Sequence, residues 1–201
     1  MTTLFDRHHL GGPELPDRVV MAPMTRVRAG VGSLTTPSMA AYHAQRTTAG
    51  LIVTDGGVAQ PDRAVQAEHP GPHTDEQVAS WRPVTDAVHA NDGHVFAQIM
   101  HGGEVFTPAG PRRSPTPWTS SKCPTSPLVR ERHPKQADRT AADHWLDLGA
   151  DLIGFDSAFV ANPGLVERLR TGLPLAPAGP ATYDQGGDTG HLTCPAYQYT
   201  A

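Results

Sequence analysis

The sequence predicts an α/β fold in which parallel strands alternate with helices. Short apolar segments of strand length are separated by segments that begin with helix-capping residues and carry apolar side chains at helical spacing. The connections between successive strands are long enough to hold a helix, as parallel pairing requires. At 201 residues the chain has the length of one ordinary domain, and 20 glycines with 20 prolines indicate abundant loops.

The first strand and the first helix are marked by apolar and capping residues. Residues 18–21 form a short apolar run that ends at Pro23, which predicts a buried strand. Thr36 is suited to cap a helix N-terminus, and Pro37 is suited to the first helical position. Gly50 is expected to end this helix.

The next segment repeats this order. Residues 51–54 predict a second strand, and residues 74–77 form a capping box that opens a second helix. The proline at position 83 is expected to kink this helix. After Gly93, residues 94–99 predict a third strand. The apolar spacing of the second helix is carried by Val78, Trp81, Val84 and Val88.

The alternation of strands and helices fails in the middle of the chain and then returns. Seven prolines between positions 107 and 138 predict an irregular stretch without helix or strand. Residues 141–149 predict a helix closed by glycine, and residues 151–155 predict a fourth strand. Asn162 and Pro163 are expected to cap a last helix, which ends at Gly172 before a glycine-rich tail.

Charge and hydropathy exclude several functional classes. The formal net charge of −4 gives no basic surface for nucleic acid. Apolar runs are far shorter than the roughly 20 residues that span a bilayer, and the N-terminal residues have no secretory-signal pattern. The two cysteines form neither a disulfide framework nor a CxxC site. We therefore expect a soluble, cytoplasmic protein.

Four smaller motifs favour ordinary structural roles. His69 with His73, and the pair at positions 8–9, lack the clustered carboxylates or cysteines of a metal site, so they are interpreted as solvated loop histidines and no metal is expected. Residues 30–32 begin like a dinucleotide fingerprint, but the third glycine is missing. Cys194, in the C-terminal tail, is interpreted as inert rather than nucleophilic.

Several longer motifs follow one another in an order that is typical of one family. They are VMAPMTR at 20–26, YHAQR at 42–46, GLIVT at 50–54, WRPVTDAVH at 81–89, QIMHGG at 98–103, FVANP at 159–163 and LVERLRTG at 165–172. Together they resemble the Old Yellow Enzyme family of FMN-dependent NADH:flavin oxidoreductases and ene-reductases.

The resemblance implies a partial (β/α)8 barrel. Such barrels typically need about 250 residues and place the active site at the carboxyl ends of the strands. The motifs resemble strands 1–3 and 8 of the family, so the chain is interpreted as truncated internally. It would consist of an N-terminal barrel portion at 1–106, a Pro-rich irregular junction at 107–138 and a C-terminal barrel portion at 139–201.

The same resemblance implies a cofactor and its contacts. FMN would be reduced by NADH or NADPH and would reduce a small electron acceptor such as an activated alkene. Pro23, Met24 and Thr25 would line the flavin ring, with the Thr25 hydroxyl near a ring carbonyl. Gly56 would allow close approach of the second strand, and the Gln98 amide would meet the pyrimidine edge, because it can both donate and accept.

The sequence departs from the family pattern where the reaction and the phosphate are handled. No histidine pair followed by a tyrosine is found, so no catalytic residue is assigned. Residues 156–159 read DSAF where the family has Gly-Arg-Pro-Phe, and Glu104 stands where an arginine is common. A phosphate prefers a bidentate cation, and Asp156 would repel it.

Two functional hypotheses follow. The first is an FMN-binding, NAD(P)H-dependent oxidoreductase. The second is a non-catalytic half-barrel remnant that self-associates or pairs with another chain, because an open parallel sheet leaves strand edges exposed and Val, Leu, Phe and Ile are few for this length.

Overall fold

The computed structural model describes residues 2–58, 69–100, 128–130, 139–177, 179, 183 and 187–194. The strands in these residues are β1 (His8–His9), β2 (Glu14–Leu15), β3 (Val19–Met21), β4 (Leu51–Val53), β5 (Gly57–Val58), β6 (Val95–Phe96), β7 (Ile99–Met100), β8 (Leu128–Arg130) and β9 (Leu152–Phe155). The helices are α1 (Pro37–Ala44), α2 (Asp75–His89), α3 (Arg139–Asp147), α4 (Ser157–Ala161) and α5 (Leu165–Thr171), with a 3₁₀ turn at Val31–Ser33.

A five-stranded parallel sheet in the order β6-β4-β3-β9-β8 organises these elements. β3 lies at its centre, where Met21 pairs with Ile52 on one side and with Phe155 on the other. β5 and β7 form a short parallel pair, and β1 and β2 form an antiparallel pair. Within the described residues the sheet is open, with β6 and β8 at its edges. The predicted α/β architecture is confirmed.

Both faces of the sheet are covered, which explains why its central strands are continuously apolar. Every residue of β3 and β9 is buried. Val19 and Met21 pack with buried residues of the helices, in a cluster that includes Tyr42 of α1 and Leu165 of α5. Alternate residues face the other way, since Val20 packs with Leu51, Leu152 and, from β2, Leu15. The hairpin of β1 and β2 therefore closes the face opposite the helices.

The helix starts of α1 and α2 confirm the capping predictions. The Thr36 hydroxyl accepts the backbone N–H of Met39, and Pro37 opens α1. Thr74 and Gln77 form the complete capping box of α2. α2 continues through its proline over 15 residues. Of the four apolar residues at helical spacing in α2, Val78 is exposed, because the buried face is formed by Gln77, Val84 and Val88.

Gly50 was expected to end α1, but this prediction is wrong, since α1 ends at Ala44. Glycine is required at position 50 for close approach, because an added Cβ would collide with the backbone and side chain of Asp17. The buried Asp17 carboxylate accepts the N–H groups of Val19 and Gly50, each at 2.9 Å. Burial raises the pKa of Asp17 to about 6, against the lowering effect of these two N–H donors.

Three further expectations for the second half of the chain are corrected. β8 lies inside the stretch expected to be irregular and pairs in parallel with β9, so there is a fifth strand in the sheet. Asn162 does not cap the last helix, whose N-cap is Gly164; its amide instead contacts the carbonyls of Ala158 and Ala176. The short helix α4 follows β9 directly and was not predicted. Gly172, in the left-handed conformation, ends α5 as predicted.

Arg46 ties the first helix to the C-terminal part of the chain. It lies just beyond α1 and is fully buried. Its guanidinium donates to the carbonyls of Phe159 at 2.9 Å and Val160 at 3.0 Å, both in α4, and to the carbonyl of Tyr42 at 2.8 Å. A five-residue helix leaves its last carbonyls without intrahelical donors, so the arginine satisfies groups that buried backbone must have paired.

We expect the Arg46→Met variant to lower the free energy of unfolding by about 3 kcal/mol, because three buried carbonyls lose their donor. Urea denaturation followed by circular dichroism measures the loss. The matched control is Arg82→Met on the exposed side of α2, for which a change of about 0.5 kcal/mol or less is expected. Equal losses in the two variants would contradict the role given to Arg46.

Candidate functional site

A cavity of about 350 Å³ opens where β3 and β9 end. The chain leaves β3 at Ala22, whose N–H still donates to the carbonyl of Phe155 at 2.8 Å. Pro23 has no N–H and ends this ladder. The carboxyl ends of parallel strands are where ligands bind in α/β folds. The lining residues are Pro23, Met24, Thr25, Arg26, Asp156, Ser157, Val160 and Tyr183.

The structure brings three of the five predicted cofactor residues together on this cavity. Pro23 and Met24 are half-buried, and Thr25 is exposed. A residue that carries a hydroxyl is therefore present on the exposed part of the cavity wall. That these residues contact a flavin stays a prediction.

The other two predicted residues lie together at the next strand ends but are not among the cavity-lining residues. The Gln98 carbonyl accepts the N–H of Gly57 at 2.8 Å, and the Gln98 N–H donates to the Thr54 hydroxyl at 3.3 Å. Gly56 is buried and directly precedes Gly57 in the chain. The contacts fix Gln98 by its backbone, so the side-chain amide is not needed for strand pairing.

Asp55 connects these two groups of residues and was not singled out in the sequence. Its side chain is 4% exposed, and burial raises the pKa of its carboxyl to about 6. The backbone N–H groups of Asp55 and Arg26 and the charge of the Arg26 guanidinium act in the opposite direction. Arg26 follows Thr25 on the cavity wall, and Asp55 precedes Gly56, so this charge interaction joins the two strand ends.

Arg26 also lies against aromatic rings. Its guanidinium carbon is 5.6 Å from the centre of the Tyr42 ring and 5.9 Å from that of Tyr183, within the range of cation–π attraction. Tyr42 in turn contacts Arg46 at 3.5 Å and stacks on His191 at 4.1 Å. Burial, together with the charges of three arginines, lowers the pKa of His191 to about 3, so its ring is neutral where it stacks.

The C-terminal residues reach this site by packing along α1. Arg28 donates to the carbonyls of Gly187 at 2.8 Å and Tyr183 at 3.4 Å. The Gln45 amide donates to the carbonyl of Leu192 at 3.3 Å, and the Cys194 thiol lies 3.3 Å from the carbonyl of Val160. Tyr183 is thereby placed on the cavity. No local pattern in the sequence points to this contribution.

At the end of β9 the cavity wall is acidic. Asp156 and Ser157, the residues that depart from the family pattern, both line the cavity. The Asp156 carboxylate accepts the N–H of Ser157 and thereby caps α4. Glu104, the other departure, lies outside the described residues, as do Cys123 and the Pro-rich junction apart from β8.

Neither a metal-binding cluster nor a membrane-spanning helix occurs in the described residues. No group of three or more His, Cys, Asp or Glu side chains that could hold a metal ion is found in the described part of the chain. No described helix is both long and apolar enough to cross a membrane. A cytoplasmic location stays a prediction.

The family model matches about two thirds of this chain, and two curated relatives match little more than half of it. The model of the NADH:flavin oxidoreductase / NADH oxidase family matches residues 3–136. The 12-oxophytodienoate reductase 7 of Oryza sativa subsp. japonica is 41% identical over 112 residues, which are 53% of this chain and 28% of that protein. Chanoclavine-I aldehyde reductase fgaOx3 of Penicillium roqueforti is 39% identical over 110 residues, which are 54% of this chain and 30% of that protein. The chain thus matches less than a third of the length of these relatives.

Solved structures match from end to end at lower identity. A variant of NCR from Zymomonas mobilis has a TM-score of 0.81 at 20% identity, over 98% of this chain and 100% of that one. Morphinone reductase in complex with tetrahydroNAD has a TM-score of 0.80 at 19% identity, over 99% of each chain. These likenesses show a common fold.

The chain belongs to the NADH:flavin oxidoreductase / NADH oxidase family, because the family model covers more than half of it. The resemblance to the Old Yellow Enzyme family is confirmed, as is the partial (β/α)8 barrel. The C-terminal motifs lie beyond the residues that the family model matches, but the structural likeness includes them.

The raised pKa of Asp55 predicts a pH-dependent difference between the wild type and Asp55→Asn. Because the folded pKa of about 6 lies above the value of 3.8 for a solvated aspartate, the folded state holds a proton between these pH values that the unfolded state has released. This proton stabilises the wild type at low pH, and the contribution is lost as the pH rises through 6. Relative to wild type, Asp55→Asn should therefore be more stable at pH 7.5 than at pH 4.5, by about 2 kcal/mol.

Urea denaturation of both proteins at the two pH values measures this difference. Asp86→Asn on the exposed side of α2 is the matched control for the loss of one carboxylate. The same Asp55→Asn effect at both pH values would contradict a raised pKa at this buried carboxyl.

Proposed function

We propose that this chain is a flavin-dependent oxidoreductase that takes electrons from NADH or NADPH and delivers them to a small acceptor such as an activated alkene. The observation that carries the proposal is the cavity at the ends of β3 and β9, lined by Pro23, Met24 and Thr25. A bound flavin would supply the hydride chemistry, and the chain would supply orientation and polarity.

The names of similar proteins support the substrate class. They include 12-oxophytodienoate reductases of Oryza sativa and a probable flavin mononucleotide-dependent alkene reductase of Leishmania infantum, which is 38% identical over 100 residues. The match covers 27% of the latter protein, so the same activity is a proposal for this chain.

The residues present fit the ring end of a flavin. Pro23 and Met24 offer half-buried apolar surface, and the exposed Thr25 hydroxyl can donate to a ring carbonyl. Gln98, held by its backbone, carries an amide that matches the donor and acceptor pattern of a pyrimidine edge. Gly56, which follows Asp55, is buried and has no side chain. No residue among these is assigned a proton-transfer role.

We expect Thr25→Val to weaken flavin binding by about fivefold to tenfold, because one hydrogen bond to the ring is lost at nearly constant side-chain volume. Equilibrium dialysis with riboflavin measures the affinity. Thr48→Val, at an exposed position after α1, is the matched control and should bind like the wild type. An unchanged affinity in Thr25→Val would remove Thr25 from the proposed site.

The second candidate function is a non-catalytic half-barrel that associates through its open sheet. It is favoured by the position of β6 at the sheet edge within the described residues, where Phe96 is 46% exposed, and by Ile99, which is 64% exposed in β7. Apolar side chains at an unpaired strand edge promote pairing between copies.

If association uses this edge, the double variant Phe96→Lys with Ile99→Lys should shift the protein from larger species toward monomer, because charge at a strand edge opposes pairing. Analytical ultracentrifugation over a range of concentrations measures the change. Val31→Lys is the control, since Val31 is 96% exposed in the 3₁₀ turn outside the sheet. A wild type that sediments as a monomer at every concentration would exclude this candidate.

A further inference from the structure

We propose that residues 187–194, here called the C-terminal strap, form a pH-sensitive switch in which protonation of His191 releases the strap from α1. The strap contains turns but no helix or strand. Of its eight residues, His191 alone is buried, with 1% of its surface exposed. This ring is therefore the main part of the strap that closure removes from solvent. The inference concerns the chain's own residues and does not depend on a bound flavin.

The other contacts of the strap lie close to solvent. Besides the hydrogen bonds to the strap described above, the Ser38 hydroxyl donates to the Asp188 carboxylate at an exposed position. Leu192 adds half-buried apolar surface at the margin of the core. Water can replace the partner of an exposed hydrogen bond, so such bonds stabilise closure only modestly. A segment with few buried contacts can open while the rest of the fold persists.

The ring of His191 is held by stacking rather than by polar contacts. It lies parallel to the ring of Tyr42, with 4.1 Å between the ring centres and 3° between the ring planes. Among the described residues, neither ring nitrogen of His191 has a hydrogen-bond partner. A neutral imidazole carries one N–H donor, whereas the protonated ring carries two donors and a full charge. Burial without partners is therefore far more costly for the protonated ring.

The charged groups that act on His191 from the neighbouring elements also oppose its protonation. They are Arg26 and Arg28, which follow β3, Arg46, just beyond α1, and His43, in α1. Burial, and then the charges of these arginines, lower the pKa of His191 to about 3. Tyr42, the titratable group in ring contact, stays uncharged because burial raises its pKa. The Asp188 carboxylate, in the strap itself, is bonded to Ser38.

Acid therefore favours the released strap. A solvated histidine has a pKa of 6.5, so below this pH a released His191 binds a proton that the closed strap excludes down to about pH 3. The closed strap is fully favoured above pH 6.5, and the ratio of released to closed molecules rises about tenfold for each pH unit below it. Because the Cys194 thiol contacts the carbonyl of Val160, release also removes a contact of a cavity-lining residue.

The reactivity of the half-buried Cys194 thiol measures release of the strap. In the full chain with Cys123→Ser, the parent for this experiment, Cys194 is the one remaining cysteine. Its rate of reaction with dithiodipyridine, a thiol reagent that works in acid, is divided by the rate of the urea-unfolded chain at the same pH. We expect the resulting protection to fall about tenfold per pH unit between about pH 6.5 and 4.5, while the circular dichroism of the helices stays constant.

Two variants that cannot bind a proton at position 191 complete the test. His191→Phe keeps an aromatic ring against Tyr42, and its protection should be independent of pH over this range. His191→Gln should give weaker protection that is likewise independent of pH, and it replaces His191→Phe if the larger ring prevents folding. His89→Phe, at an exposed position of α2, is the matched control and should follow the parent. Constant protection in the parent, a position-191 variant that follows the parent, or loss of the helix signal together with protection would overturn the inference.

Discussion

The pairing of β3 with β9 is the constraint on which the rest of the described structure depends. Val19 pairs with Ile153 and Met21 with Phe155, so two segments more than 130 positions apart share one ladder at the centre of the sheet. Because the strands are parallel, their carboxyl ends coincide, and the residues that follow them form one cavity wall. Arg46 reinforces the same junction from the helix layer, through the carbonyls of α4.

The two strand ends of this junction have different chemical character. The β3 side has the apolar surface of Pro23 and Met24 and the hydroxyl-bearing Thr25. The β9 side carries a carboxylate that is engaged in capping a helix. The two neighbouring strand ends can therefore differ in polarity, because strand pairing depends on backbone groups whereas the cavity wall is formed by side chains.

Local signals predicted the elements, whereas long-range contacts completed the site. Thr36 and Thr74 could be identified as caps because a cap involves residues only three positions apart. β8 could not, since it has two apolar residues amid prolines and is defined by its pairing with β9. Likewise, the rule that glycine often ends a helix predicted a helix end at Gly50. Glycine is required there for a different reason, because Asp17, 33 positions earlier, lies too close for a side chain. Tyr183 reaches the cavity only through the packing of the C-terminal residues.

The central position of β3 has a consequence for synthesis on the ribosome. β3, β4 and β6 emerge early and can pair with one another, but the other edge of β3 stays open until β9 has left the exit tunnel. His191, which stacks on the ring of Tyr42, is synthesised later than β9. The nascent chain therefore carries an apolar strand with one unpaired edge until β9 has been made, a state that chaperones recognise, and its yield in a cell should depend on how fast the codons between β4 and β9 are read.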